Sequence, residues 1–132
     1  MKKLVGKWEG TAEGDMKATA EFRMTGGGSA IMQILGGGTP YEMVTMFTMD
    51  GDRLLATHYC AAHNQPRMEA VNGIAPNTVE FKFLDGTNIH PGDVHMEKVK
   101  MTVQDADHHS EVWTSNVKGK MEPGEFVFHR VS

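Results

Sequence analysis

Apolar and polar residues alternate one by one along much of this chain, in short runs with turn residues between them. In "TVEFKFLD", Val79, Phe81 and Phe83 share one face, and Glu80 and Lys82 share the other. "VHMEKVKMTV" sets Val99, Met101 and Val103 against Lys98, Lys100 and Thr102. A period of two belongs to a strand with one wet face. Strands are predicted over Lys7–Glu13, Ala18–Met24, Ala30–Leu35, Glu42–Met49, Arg53–Ala61, Arg67–Gly73, Thr78–Leu84, Val94–Val103, Ser110–Val117 and Glu125–Val131. Asp50-Gly51-Asp52, Asp85-Gly86, Pro123-Gly124 and the triplets at Gly26 and Gly36 read as turns. No segment holds a helical period with caps. Most connections are too short for the crossovers that parallel strands need. The chain therefore reads as an all-β antiparallel meander of about ten strands. Open edges are costly for such a sheet, so closure into a barrel is expected. A barrel of this size has room for a small ligand.

The 132 residues suit one domain with one core, and no linker, repeat or low-complexity tract divides them. A net charge of −4 argues against a nucleic-acid partner. The start Met1-Lys2-Lys3 is interrupted by Gly6, Lys7, Glu9 and Gly10 before any apolar run forms, unlike a signal peptide. No stretch reaches the roughly 20 apolar residues of a membrane span. The single cysteine suits a reducing compartment. The expected location is cytoplasmic, although a leader trimmed before residue 1 would leave no trace. Eleven methionines suit either core filling or a pliable pocket wall. The sequence also allows a homodimer.

The opening "LVGKWEGTAEG" carries Gly6-x-Trp8 at the start of the first strand. This resembles the calycins, that is, lipocalins, fatty-acid-binding proteins and their relatives, and implies a barrel whose tryptophan plugs the closed end. A longer resemblance is to a group of small uncharacterised bacterial lipocalin-like proteins. It runs through "MVTMFTMDGDRLLATHYCAAHNQPRM", "FKFLDGTNIH", "HMEKVKM" and "DADHHSEVWT". It implies the fold and leaves the activity open. Fatty-acid-binding proteins add a helical lid after the first strand, where only Gly14 to Lys17 lie here. Their Arg-x-Tyr clamp is matched by Arg130 but departs at Ser132. Nitrobindin-like haem barrels open on a glycine series that Gly6, Trp8, Gly10 and Gly14 match and Ala12 breaks. Their iron ligand would correspond to His129, which faces out if Phe126 and Phe128 face the lumen.

Chemistry concentrates in "THYCAAHNQPRM". Leu54, Ala56, His58 and Cys60 share one strand face, so His58 and Cys60 are expected to look inward and Thr57 and Tyr59 outward. His58, Cys60 and His63 offer nitrogen and sulfur ligands for zinc or copper. His58 and Cys60 could instead form a dyad, with no orienting group or oxyanion hole in evidence. The third reading is ligand recognition by His58, Cys60, Asn64, Gln65 and Arg67, with the Arg67 fork receiving a carboxylate or phosphate. Its bland counterpart is a turn at Asn64-Gln65-Pro66 and a solvated Arg67. His95 and Glu97 share the inward face of the eighth strand and are either paired or solvated at its end. His109, Glu111 and Trp113 share a face, with Trp113 either packing the core or walling a pocket. Glu42 and Tyr41 follow Pro40 at a strand start and are candidates for a mouth, while His90 reads as an exposed loop residue. The expected function is binding of a small, partly hydrophobic molecule. His58, Cys60, Arg67, His95, Trp113, Glu42, Asn64 and Gln65 are its candidate contacts. Haem or metal binding, a hydrolase or isomerase using the His/Glu/Cys set, and a filled barrel acting as an interaction module are the alternatives.

Overall fold

The structure, a computed structural model, describes residues 1–71 and 75–132. Among them ten strands run β1 (Gly6–Thr11), β2 (Lys17–Thr25), β3 (Ala30–Leu35), β4 (Met43–Asp50) and β5 (Arg53–Tyr59). They continue with β6 (Gln65–Ala70), β7 (Thr78–Thr87), β8 (His95–Asp105), β9 (His108–Val117) and β10 (Lys120–Arg130). Each pairs antiparallel with its chain neighbours, and β1 pairs with β10 to close a barrel. The all-β closed meander expected from the alternation is therefore what forms. No described helix is long and apolar enough to cross a membrane. The strand predicted over Arg67–Gly73 ends on Asn72 and Gly73, which lie outside the described residues.

Two predicted turns lie inside strands. Asp85 and Gly86 extend β7 and pair with Arg67 and Pro66, beyond a register shift between Arg67 and Met68. A Cβ at Gly86 would stand 2.5 Å from Ile89 Cδ1 and 2.9 Å from the Gln65 carbonyl. Glycine is thus required there by close approach rather than by a bend. Pro123 and Gly124 sit within β10, opposite Thr114 and Trp113. The hairpin is made instead by Lys118 and Gly119, with φ of 53° and 87°. Positive φ at both central residues gives the primed turn that suits twisted strands. The Gly119 N–H is capped by Asn116 Oδ1 at 2.8 Å.

The two barrel ends differ. At one, which we call the plug end, the 3-10 turn Lys2–Leu4 places Leu4 beneath the strands beside Trp8, and both are buried. The Trp8 indole N–H donates to the Leu4 carbonyl at 2.8 Å. Arg130 lies over the Trp8 ring at 4.4 Å and donates to the carbonyls of Lys3, Val5 and Ala106. Arg130 is therefore a fastener of the plug, and its guanidinium is already occupied. Phe22, Phe47, Phe81 and Phe128 fill the interior above it. Full burial of each contributes about 1.5–3 kcal/mol. Met68 and Met101 join them, whereas Met16, Met24, Met49 and Met121 are exposed, so core filling explains only part of the methionine count.

At the opposite end, the loop end, lie the β3–β4, β5–β6 and β7–β8 connections. Partly exposed residues pack on the core at both ends, Leu54, Ala70, Val79 and Val103 toward the plug end. Ala18, Met43, Met96 and Phe126 do so at the loop end.

Candidate functional site

A polar row crosses the barrel interior. Gln33, Thr45 and His58 are successive cross-strand partners on β3, β4 and β5. All three are buried, as alternation demands of positions between Ile31 and Leu35, Met43 and Phe47, and beyond Ala56. From β9, His109, Glu111 and Trp113 face them. The Gln33 amide N–H group reaches both Glu111 oxygens, at 2.9 and 3.0 Å. The Trp113 indole N–H donates to Glu111 Oε1 at 2.9 Å, and His109 Nε2 lies 2.8 Å from Oε2. A fully buried carboxylate thus collects donors from three side chains, which offsets much of the cost of removing it from water.

His58 stands beside this knot. Its ring packs on Trp113 with centroids 4.6 Å apart, and Nδ1 meets Thr45 Oγ1 at 2.8 Å. Burial pushes the His58 pKa down to about 4, so the ring is neutral near pH 7. Tyr59 is exposed and His58 is fully buried, which is the parity expected from Leu54 and Ala56. The strand then ends, and Cys60 is half-buried in a tight turn. The Cys60 N–H donates to the Asn64 carbonyl and its own carbonyl accepts from the His63 N–H. His63 has φ of 69° and is exposed. His58, Cys60 and His63 therefore do not converge. Among the described residues no group of three or more His, Cys, Asp or Glu side chains could hold a metal ion. Nor is His58 free to serve Cys60 through Nδ1.

The other candidates divide between the loop end and the outer wall. Asn64 is buried and its amide N–H donates to the Val94 carbonyl at 2.9 Å, tying the β5–β6 turn to the start of β8. Gln65 begins β6, so Asn64-Gln65-Pro66 is not the turn itself, and Gln65 Oε1 accepts from Thr87 Oγ1 at 2.5 Å. Arg67 points outward, because its neighbours Pro66 and Met68 are the buried ones. Its fork is taken bidentately by Asp85, at 2.6 and 2.7 Å, and this bond holds the Asp85 carboxyl below its ordinary range. Arg67 cannot clamp a carboxylate inside the barrel while so engaged. Glu42 is exposed and accepts the Gly38 N–H at 2.8 Å, beside an outer groove shared with Lys7, Glu9 and Glu21. It lies outside the wall rather than in a mouth.

His95 and Glu97 remain at the loop end. A register shift between Met96 and Lys98 turns Met96 onto the core, however, so His95 does not continue the face of Val99, Met101 and Val103 that alternation predicts for it. His95 Nδ1 bonds the Met96 carbonyl at 3.2 Å and lies 3.5 Å from Glu97 Oε2. The His95 ring leans on Phe83 with centroids 4.6 Å apart. Phe83, Ile89, His95, Asn116 and Lys118 help line a hollow of about 650 Å³ between the β7–β8 loop and the β9–β10 hairpin. On β10, Phe128 is buried and Phe126 half-buried, while His129 is exposed. A haem iron cannot be reached from His129 inside the barrel, so this residue set does not fit a haem held from the last strand.

Comparison with known proteins agrees at the level of architecture. No protein family's sequence profile matches the chain. No curated protein matches it either. Among solved structures it is similar to a protein of unknown function from the DUF3598 family of Nostoc punctiforme PCC 73102, at 14% identity and a TM-score of 0.66. The likeness shows the fold. It covers 98% of this chain but 48% of that one, so this chain spans about half the length of its structural relative.

Gln33 and Thr45 were the residues that alternation alone did not single out as functional. Their signal was present in "AIMQIL" and "MVTMFTM", where a polar residue occupies a position whose neighbours two away are apolar. The shared face of His109, Glu111 and Trp113 was legible, but the Gln33 that completes it comes from a strand 78 residues away.

Proposed function

We propose that this chain is a one-domain, calycin-type barrel that binds a small, partly apolar molecule at its loop end. The observation that carries the reading is the hollow at the loop end, opposite the Trp8 plug. Leu4, Trp8 and Arg130 seal one end. The other carries a hollow of about 650 Å³ beside the β7–β8 loop. That volume is in the ordinary range for small-molecule sites, and its walls mix apolar Phe83 and Ile89 with polar His95 and Asn116. The Gly6-x-Trp8 opening, with Trp8 buried as the plug of the closed end, supports the calycin assignment.

Native mass spectrometry of protein purified from its own host tests the reading. A retained small molecule is expected in the wild type. His95→Trp, which fills the hollow, should lose it while keeping the fold. Equal retention by this variant would remove the hollow from consideration.

A further inference from the structure

The outer wall carries a row of side chains that the interior and the loop end do not use. Glu9 on β1 is the cross-strand partner of His129 on β10, and His129 is the partner of His108 on β9. His108 in turn stands opposite Asp105 on β8. All four residues are exposed. Four adjacent strands therefore set Glu9, His129, His108 and Asp105 side by side, near the plug end.

The two histidines form the closer kind of pair. In an antiparallel ladder, residues of a non-hydrogen-bonded pair approach most nearly, with Cα atoms about 4.5 Å apart. Their neighbours on the outer side then bond to each other. The Arg130 N–H donates to the Asp107 carbonyl at 2.8 Å, one residue beyond His129 and one before His108. His108 and His129 thus occupy a non-hydrogen-bonded pair, whose Cβ atoms lie toward the lower end of about 4.5–5.5 Å. Two imidazole nitrogens that share one ion, each at about 2.0–2.1 Å, are roughly 3 Å apart. Rings rooted this closely on one face reach that spacing by side-chain rotation alone.

Asp105 prepares one of the rings. Its carboxylate lies 2.8 and 3.1 Å from His108 Nδ1 and accepts the Asp107 N–H at 2.8 Å. The bond to His108 holds the Asp105 carboxyl below its ordinary range, so it is ionised near neutral pH. An ionised carboxylate only accepts, which places the imidazole proton on Nδ1 and the lone pair of the neutral ring on Nε2. Metal-binding histidines are commonly oriented by such a carboxylate on their other nitrogen. Charge is also favourable to a cation. Asp105, Asp107 and Glu9 flank the pair. Arg130, 3.7 Å from Asp107, alternates to the other face of β10 and lies over Trp8, and Lys7 stands opposite Glu21.

We propose that His108 and His129 hold a divalent ion of the copper(II) or nickel(II) class on the outer wall. Among the described residues no third His, Cys, Asp or Glu joins them in a ready-made cage, so the two imidazoles are the protein ligands and water completes the shell. Mixed nitrogen and oxygen ligands suit the tetragonal preference of these ions. Isothermal titration calorimetry of the full chain, free of any histidine tag, with NiCl2 at neutral pH tests this. One ion should bind per chain. His108→Ala and His129→Ala should each raise the Kd at least about tenfold, and the double variant should bind no more weakly than either. Asp105→Asn should also weaken binding, whereas His90→Ala, at the loop end, should leave the Kd unchanged. Ni2+ should raise the urea midpoint of the wild type but not that of His129→Ala, because only a pair of rings can tie β9 to β10. Both positions are exposed, and circular dichroism checks that each variant folds; should one misfold, the other decides. Absence of Ni2+ binding by the wild type would overturn the proposal. So would an unchanged Kd in either folded single variant.

Discussion

His58 shows how a single residue ties the barrel's stability to pH. Its folded pKa is about 4, against an ordinary value of 6.5, because burial penalises the imidazolium. Above pH 6.5 both folded and unfolded chains hold it neutral, and it costs nothing. As pH falls from 6.5 to 4, the unfolded chain gains a proton that the folded chain refuses. Stability is therefore lost through that window, by roughly 3 kcal/mol at about 1.4 kcal/mol per unit. Below pH 4 the loss levels off. His58→Phe removes this titration, so the wild type should show a steeper fall in urea midpoint between pH 7 and pH 4.5 than the variant. Parallel slopes would mean that His58 is hydrated in solution. The Glu111 knot beside it has a different logic, since its donors come from Gln33, His109 and Trp113 and their arrangement can be met only by a closed barrel.

At the level of strands, most of the fold was legible in the sequence. Alternation fixed which side of most strands faces inward, β8 beyond its register shift at Met96 being an exception, and β3 matches its expected bounds residue for residue. The errors fell where glycine carries two meanings. Asp85-Gly86 and Pro123-Gly124 look like turns locally, but pairing with Pro66 and with Trp113 holds both in strands. Local sequence cannot report such pairing. The candidate site was less legible, because Arg67 and Glu42 depend on partners, Asp85 and Gly38, that periodicity does not choose. Gly10 illustrates glycine used for approach. A Cβ there would collide with the Val127 carbonyl and stand 2.9 Å from Phe128 Cα, both backbone atoms of β10. Gly10→Val should therefore pry β1 from β10 and cost at least about 1–3 kcal/mol in urea denaturation. At Gly124 an added Cβ finds only the Trp113 carbonyl, at 4.0 Å. Gly124→Ala should stay within about 0.5 kcal/mol of the wild type. Equal effects at the two sites would show that the β1–β10 seam is looser than the structure shows.

For the whole molecule, the division of labour between the ends makes a separate prediction. Arg130 joins the N-terminal turn, the β8–β9 turn and the Trp8 ring through one guanidinium. Arg130→Ala strands three carbonyls and should cost roughly 2 kcal/mol or more by urea denaturation. Arg130→Lys should recover only part, because an ammonium lacks the planar fork. Neither change touches the loop end, so binding there should survive in the folded fraction. Closure has a further consequence, in the order of assembly. Every pairing except one joins strands adjacent in the chain and can form as a local hairpin on a microsecond scale. The exception is the β1–β10 seam, where Arg130 reaches Val5 across 125 residues. The loop-closure entropy of that span must be met before the seam bonds contribute. The barrel should therefore zip as an open, curling sheet and lock last, leaving a transient pair of strand edges, β1 and β10, as the moment in its folding most exposed to pairing with another chain.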